Sequence, residues 1–225
     1  MSINTKYSVI LDAARLDCEM EAAHRLNPEG LSLYKGQPEE ELSEVAPYLF
    51  SCYGNSTFLN WVLDTGWGKS WGIYILSDKE LIELHRHFRR FLMVKTEDGK
   101  QLYFRYYDPR VLRIFLPTCD AAQLREFFGP ISKFICEDED PAFALIFFHD
   151  NMKLITQRIP SKEIFTTIGK EKLLEQVKNA SEDKNNAIES ADLKTEDTHT
   201  PPDKNKTPET QKEQDSDKPR KFRFY

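Results

Sequence analysis

A change in composition near Ala180 limits what this 225-residue chain can fold into. Between Ser181 and Tyr225 the only aliphatic residues besides alanine are Ile188 and Leu193, and they stand among charged and polar residues. Such a segment cannot bury enough apolar area to offset the entropy that is lost on ordering, so we predict that it is disordered. The preceding stretch of about 180 residues has the length of one domain. The sequence therefore predicts one folded domain followed by a tail.

The tail ends in a segment of different character. It holds 11 acidic and 9 basic residues, a net charge of 9 − 11 = −2, but the residues after Pro219 combine three cations with three aromatic rings. We consider two interpretations of this end. It is either a chain terminus without a role or a short linear motif that docks on a partner.

Segments with strand and helix patterns alternate before the tail. Strands are predicted at Tyr7–Leu11, Tyr48–Tyr53, Trp71–Leu76, Met93–Thr96, Gln101–Tyr106, Ile131–Cys136 and Phe143–Phe148. Helices are predicted at Asp17–His24, from Pro38 to before Pro47, at Ser56–Leu63 with Ser56 as cap, after a cap at Ser77 or Asp78, and at Pro109–Leu116, Ala121–Phe128 and Ser161–Asn179. Asp98-Gly99 marks a β-hairpin. The alternation predicts an α/β fold with a mixed sheet and interleaved helices.

The segment Leu81–Leu92 predicts an amphipathic helix that is rich in cations. At about 100° per residue its apolar side chains share one face, with His85 at the edge and His87 on nearly the opposite flank. The two imidazoles are therefore poorly placed for a common metal ion. Arg86 and Arg90 lie on the face away from the core, and Arg89 flanks that face. They form either a solvated surface near a helix C-terminus or a patch that binds the carboxylates of a partner.

A second cationic segment covers residues 104–110, with the sequence FRYYDPR. The alternation of Leu102, Phe104 and Tyr106 predicts a strand with these three side chains on its buried face. Arg105 and Tyr107 would then lie on the other face.

The end of the same segment predicts a helix start. Asp108 is a favourable N-cap, and Pro109 suits the first helical position. We assign Asp108 this structural role in preference to a catalytic one. Arg105 and Arg110 either pair with nearby acids or extend the cationic surface of the preceding helix.

Residues 61–72, with the sequence WVLDTGWGKSWG, contain three tryptophans and three glycines. A helix that ends at Gly66 and turns into a strand explains the glycines. We predict that the tryptophans, including Trp71, belong to the core. Trp67, in the turn, is also a candidate for an exposed anchor that a partner would contact.

The sequence offers little local support for catalysis. It has no G-x-S-x-G elbow, no clustered glycines that would hold a phosphate and no H-E-x-x-H pair. Cys52 or Cys119 could form a nucleophile–base pair with His24 or His149 only if the fold brings them together. The four cysteines have apolar neighbours and no C-x-x-C spacing, so we predict reduced core thiols: Cys18, Cys52, Cys119 and Cys136.

Charge and hydropathy bound the location and the partners. The net charge of −6 argues against general nucleic-acid binding, which needs a basic excess. The N-terminus has no signal-peptide pattern, and no run of about 18 apolar residues exists. We therefore expect a cytoplasmic protein without a membrane span, a metal site or a cofactor.

Six segments resemble one protein family when they are taken together. In order they are LDAAR at 11–15, LSLYKG at 31–36, ELSEVAPYL at 41–49, WGKSWG at 67–72, LHRHFRR at 84–90 and FRYYDPR at 104–110. They resemble the adaptor-chaperone domain of bacterial type VI secretion, the Tap/TEC group, formerly a domain of unknown function. The resemblance covers about residues 7–135.

The resemblance implies a cytoplasmic chaperone that binds a toxic effector and helps to load it onto the valine-glycine-repeat spike protein. It divides the chain into an adaptor domain at 1–136, an extension at 137–180 and the tail at 181–225. The positions expected to contact a partner are Arg86, Arg89, Arg90, Arg105, Arg110 and Trp67. The positions expected to hold the fold are Asp108, Pro109, His85 and Trp71. The extension and tail are expected to serve the choice of cargo.

Two alternatives come from other functional classes. A hydrolase or transferase would use Asp108, His87 and Arg105, and it requires that these side chains meet in one pocket. A toxin-immunity protein would also be a small acidic binding protein. Co-expression separates it from an adaptor, because an immunity protein neutralises its toxin whereas an adaptor permits export.

Overall fold

The computed structural model describes residues 6–34, 43–95 and 100–166. The predicted tail, its aromatic end, most of the predicted final helix and the start of the helix predicted at Pro38 lie outside these residues.

A seven-stranded sheet forms the centre of the described fold. The strands in chain order are β1 (Lys6–Asp12), β2 (Leu31–Ser32), β3 (Pro47–Ser51), β4 (Gly72–Ser77), β5 (Met93–Lys95), β6 (Gln101–Tyr103), β7 (Ile131–Glu137), β8 (Phe143–Asp150) and β9 (Lys153–Pro160). The sheet has the order β2-β3-β1-β4-β7-β8-β9, and β5 and β6 form a separate hairpin. The predicted α/β fold is confirmed. The sheet was predicted to be mixed. Among the described strands, each pair is antiparallel.

Helices occupy the connections between these strands. They are α1 (Ala13–Leu16), α2 (Glu19–Leu26), α3 (Ser56–Gly66), α4 (Leu81–Arg89), α5 (Pro109–Phe115) and α6 (Ala121–Phe128). Two 3₁₀ turns, Ser43–Val45 and Leu116–Thr118, and a helical segment at 161–166 complete the described elements. The region predicted as a helix from Pro38 therefore contains a 3₁₀ turn in its described part.

Both faces of the sheet are buried. Along β1, Ile10 belongs to one core cluster, whereas its neighbours Val9 and Leu11 belong to the other. The cluster of Ile10 packs beneath α4, α5 and α6, and the opposite cluster packs beneath α1, α2, α3 and the 161–166 segment. Because successive side chains of a strand point to opposite faces, a strand that is covered on both faces has a continuous apolar run. β1, predicted at Tyr7–Leu11, contains such a run at residues 9–11.

The hairpin predicted by Asp98-Gly99 is confirmed by the pairing of β5 with β6, in which Met93 lies opposite Tyr103. The predicted strand beyond it is wrong. β6 ends at Tyr103, and Leu102 is 49% exposed. Tyr106 and Tyr107, predicted on opposite faces of a strand, are both buried in the same core cluster, because the chain turns there before α5.

Two predicted helix caps are also wrong. The cap of α3 is Asn55 and not Ser56, since the Asn55 side chain accepts a hydrogen bond from the backbone N–H of Phe58 at 3.1 Å. Helix α4 begins after Glu80 and has no side-chain cap. Ser77 instead accepts from the N–H of Lys79 and donates to the carbonyl of Pro130.

The last strand of the sheet was not predicted. β9 follows β8 after a turn at Asn151-Met152 and extends the sheet beyond the predicted boundary at residue 136. β7 pairs with β4 on one side and with β8 on the other. The predicted adaptor domain and the predicted extension thus share one sheet.

Candidate partner-binding surface

A buried acid and an arginine meet where β1 ends. Asp12 is fully buried, and its Oδ2 accepts a hydrogen bond from the side chain of Arg105, which follows the β5–β6 hairpin. Its Oδ1 has no hydrogen-bond partner. Burial raises the pKa of Asp12 above its ordinary value, although the adjacent Arg105 opposes this rise. Arg105 thus compensates a carboxylate inside the fold, while its side chain stays 43% exposed.

The start of α5 contains a second acid–arginine pair. The Asp108 carboxylate accepts from the backbone N–H and the Nε of Arg110, both at 3.0 Å, and from its terminal nitrogen at 2.6 Å. Burial alone would raise the pKa of Asp108, but these hydrogen bonds and the charges of Arg110 and Arg105 lower it below its ordinary value. The predicted cap at Asp108 with Pro109 at the first turn is confirmed. Arg105 and Arg110 therefore follow the pairing alternative, with side chains that remain about half exposed.

Tyr34 and Tyr107 lie near Arg105, and Tyr103 contacts Tyr34. Tyr34 hydrogen-bonds Tyr107, which is buried, and its ring centroid lies 5.6 Å from that of Tyr103. Burial raises the pKa of Tyr107 well above its ordinary value. Tyr103 is 51% exposed on β6. Sequence reasoning missed Tyr34 and Tyr103 as surface residues, although Tyr34 stands within the LSLYKG motif.

Helix α4 holds the segment that carries Tyr34. The ring of His85 donates to the carbonyl of Ser32 at 2.8 Å, and Nε of Arg89 donates to the carbonyl of Leu33 at 3.2 Å. His85 thus joins α4 to β2. The same hydrogen bonds place α4 beside the tyrosines, because Tyr34 follows Leu33 directly.

The flank of α4 that carries His87, nearly opposite His85, does not face solvent. His87 is buried, and its Nε2 donates to the carbonyl of Phe127 at the end of α6 at 2.8 Å. Its Nδ1 accepts from Arg90 at 2.8 Å, an assignment that satisfies both ring nitrogens. Helix α4 is covered by the sheet on one side and by α6 on another, so two flanks are buried. Arg90 is exposed to solvent and also donates a hydrogen bond to His87.

Arg86 and Arg89 keep unused hydrogen-bonding capacity. Arg86 is exposed and makes no hydrogen bond or ion pair within the described residues, and Arg89 is half-buried and uses only its Nε there. They lie three residues apart on α4 and are therefore neighbours on its surface. We define the arginine–tyrosine surface as Tyr34, Arg86, Arg89, Tyr103 and Arg105. It presents guanidinium donors beside the half-buried ring of Tyr34 and the exposed ring of Tyr103.

Trp67 is not the exposed anchor that its place in a turn suggested. It is half-buried, its indole N–H donates to the carbonyl of Pro141 at 2.8 Å, and its ring meets Phe165 edge-on at 5.3 Å. Trp71 is buried as predicted. The structure thus separates Trp67 from the arginines, because Trp67 belongs to the core cluster on the opposite face of the sheet from α4.

The turn between the tryptophans is held by a carboxylate that sequence reasoning missed. Glu137, at the end of β7, accepts from the backbone N–H groups of Gly68 and Ser70 at 2.6 and 2.8 Å and from the Ser70 hydroxyl at 2.8 Å. A cavity beside it has a volume of about 10 Å³, room for about one water molecule. Because Glu137 is the first of four consecutive acidic residues at 137–140, no local pattern in the sequence distinguishes it.

The residues of the hydrolase alternative are not joined in one hydrogen-bonded set. Arg105 and Asp108 approach to 3.9 Å, but the ring nitrogens of His87 bond Phe127 and Arg90. Within the part of the chain that the structure describes, no group of three or more histidines, cysteines and acids has the geometry of a metal site.

The cysteines are free thiols without a histidine base in their described contacts. Cys52 and Cys136 are buried, and burial raises the pKa of Cys52 to about 12. Burial also raises the pKa of Cys119 to about 12, and its thiol donates to the carbonyl of Phe115. Cys18 is exposed, so the prediction of a core position is wrong for this one. His24 and His149 pack against aromatic rings.

Among the helices at 6–34, 43–95 and 100–166, none has the length and apolar character that crossing a membrane requires.

Comparison with known proteins places the chain in a family. Residues 7–126 match the family model described as "Domain of unknown function (DUF4123)", which spans 120 of 225 residues and ends within α6. Neither the curated proteins nor the solved structures give a match to the chain. All members of the arginine–tyrosine surface lie inside the matched region, whereas Glu137, β8 and β9 lie beyond it. The chain belongs to the DUF4123 family.

Proposed function

We propose that this protein is a type VI secretion adaptor, which binds a cognate effector and assists its loading onto the valine-glycine-repeat spike protein in the cytoplasm. The observation that carries the proposal is the family match over residues 7–126. The matched region contains the six segments that together resemble the adaptor-chaperone group of type VI secretion. A binding role without catalysis agrees with that resemblance.

The polar side chains of the matched region support binding more than chemistry. Asp12 pairs with Arg105, Asp108 pairs with Arg110, and His87 is bonded at both nitrogens. A catalytic acid or base needs a free site beside a substrate, and these groups serve the fold instead.

The arginine–tyrosine surface is where we place the effector. Tyrosine and arginine are the residue types that dominate binding energy at protein interfaces, because they offer large rigid contact areas and directional donors. Arg86 and Arg89 would bind carboxylates or carbonyl oxygens of the effector. Arg90, Arg105 and Arg110 are set aside as principal contacts, because His87, Asp12 and Asp108 engage them.

The sharpest test reverses one charge. Arg86→Glu should weaken binding of the cognate effector at least tenfold without changing the thermal unfolding midpoint, because Arg86 makes no hydrogen bond within the described residues. Isothermal titration calorimetry at two salt concentrations measures the effect. Arg25→Glu is the matched control, since Arg25 is also an exposed helical arginine but lies on α2 beneath the other face of the sheet.

Two outcomes would count against the proposal at different levels. Equal affinities of wild type and Arg86→Glu would remove the arginine–tyrosine surface as the effector site. If deletion of the gene leaves effector export unchanged, the adaptor role itself is wrong. Protection of cells against the effector by this protein alone would favour the immunity alternative.

A further inference from the structure

The outer edge of β9 is unpaired within the described residues. β9 is the last strand in the order of the sheet and pairs only with β8 there. It runs for eight residues without a register shift. A regular edge of this length offers a row of backbone donors and acceptors to another strand.

The geometry of the hairpin shows which backbone groups face outward. The N–H of Ser161 donates to the carbonyl of Ala142, so Ser161 bonds toward β8. In an antiparallel ladder the bonded residues alternate, and Lys153, Ile155, Gln157 and Ile159 therefore also bond toward β8. The backbone groups of Leu154, Thr156 and Arg158 point away from the sheet.

We propose that two copies of this chain associate through antiparallel pairing of their β9 edges. The two-fold axis passes between the two copies of Thr156, so that Thr156 lies opposite Thr156 of the second copy. This register makes Leu154 face Arg158, Ile155 face Gln157 and Lys153 face Ile159 across the axis. Outward residues pair only with outward residues, which gives about six backbone hydrogen bonds.

Charge and proline chemistry favour this register and this partner. The two cations of the strand, Lys153 and Arg158, each face an aliphatic residue, so no like charges are opposed. Centring the axis one residue later, at Gln157, would place Pro160 opposite Leu154 of the second copy, where it has no N–H to donate. The guanidinium of Arg158 is also held by Asp138 and lies 3.4 Å from the ring centroid of Phe143, away from the open edge.

The partly exposed aliphatic residues of the edge gain cover in such a dimer. Leu154, Ile155 and Ile159 are each half-buried in the single chain. Pairing extends the sheet across the axis and places the strand of the second copy beside these side chains. The dimer is independent of the arginine–tyrosine surface, since that surface packs near β2 and the β5–β6 hairpin at the other end of the sheet order.

The position of Thr156 on the axis allows a charge-swap experiment on the full chain. Wild type should sediment at twice 26.3 kDa at micromolar concentration. Thr156→Lys and Thr156→Glu should each raise the dissociation constant about five- to tenfold, because like charges meet at the axis. An equimolar mixture of the two variants should restore dimers, and native mass spectrometry should show them to be heterodimers.

A proline variant tests the backbone contact directly. Thr156→Pro removes an outward N–H and should abolish the dimer while leaving the β8 ladder intact. Thr156→Val keeps this N–H and should stay dimeric, whereas Gln157→Pro removes an inward N–H and should lower the thermal unfolding midpoint. A monomeric wild type would overturn the proposal, as would a dimer that survives Thr156→Pro. A monomer that loses effector binding upon Thr156→Pro would identify the effector, and not a second copy, as the occupant of the edge.

Discussion

Asp12 and Asp108 illustrate two electrostatic solutions for a buried carboxylate. Asp108 lies at a helix N-terminus and accepts hydrogen bonds from Arg110, and its pKa is lowered. Asp12 has one oxygen without a donor, and its pKa is raised. Ionisation of Asp108 therefore stabilises the fold above the unfolded-state pKa of about 3.8, and this gain is lost as the pH falls through the folded value. For Asp12 the sign is opposite: its contribution is present below pH 3.8 and is lost as the pH rises through its folded value.

The sign at Asp108 gives a prediction. Asp108→Ala should lower the free energy of unfolding by about 1–2 kcal/mol at pH 7, because the cap and the pair with Arg110 are both removed. Asp108→Asn keeps a capping oxygen and should cost less. Urea denaturation at pH 7 and pH 3 should show that the difference between wild type and Asp108→Asn shrinks in acid. A difference that is independent of pH would contradict the charged role of Asp108.

Single residues also show where sequence reasoning reaches its limit. The cap at Asp108 was predictable because its partners lie within two positions along the chain. The roles of Asp12 and Glu137 were not, since Arg105 is 93 residues from Asp12, and the backbone of Gly68 is 69 residues from Glu137. The helical periodicity separates His87 from His85, but a sequence does not show that α6 covers the flank of His87. The candidate surface was thus predicted in its arginines and missed in its tyrosines.

Elements with strong local signals were predicted well. α6 matches its predicted bounds, Ala121–Phe128, because Asp120 and Gln123 form a capping box and Gly129 follows the last turn. β9 was missed because its seven residues before Pro160 mix three aliphatic with four polar residues, as an edge strand with partial burial does. Propensity alone does not distinguish such a strand from a loop.

The pairing of β1 with β4 predicts a strict requirement for glycine. A Cβ on Gly72 would lie 1.9 Å from the carbonyl oxygen of Ile10, which is backbone and fixed by the ladder. Gly72→Ala should therefore destabilise the protein by about 3 kcal/mol or more, as measured by urea denaturation.

Gly54 supplies the matched control for this prediction. Its φ is +68°, but an added Cβ would meet no atom within 4 Å. Gly54→Ala should cost only about 1 kcal/mol, which is the strain of a left-handed backbone without a clash. Equal costs at the two glycines would show that steric contact at Gly72 is relieved by movement of the strands.

At the scale of the whole molecule, the family boundary does not coincide with a structural boundary. The matched region ends at residue 126, but β7, β8 and β9 continue the sheet that β1, β3 and β4 begin. Phe134, Ile146 and Phe147 in these later strands are buried in the two cores. The overall α/β class followed from alternating local patterns. The order of the strands depends on contacts between distant segments, which the sequence does not display.

Truncation tests this continuity. A chain that ends at residue 136 lacks β8 and β9 and exposes the apolar side chains of β7, so we expect no cooperative thermal unfolding transition. Each buried large side chain that is lost costs about 1.5–3 kcal/mol against a total stability of about 5–15 kcal/mol. A chain that ends at residue 166 keeps all described elements and should unfold cooperatively. Circular dichroism melting distinguishes them, and a cooperative melt of the shorter chain would establish the predicted domain at 1–136 as autonomous.

The grip of Glu137 on the turn at residues 68–70 has a consequence for protein engineering. The turn lies within the matched region, but the carboxylate that satisfies its amides is supplied from outside that region. A chimaera that grafts the C-terminal half of a relative onto this N-terminal half must bring an acceptor to the same place. Without such an acceptor, the N–H groups of Gly68 and Ser70 would lose their hydrogen-bond partner. Productive junctions between relatives are therefore those that retain a glutamate at position 137.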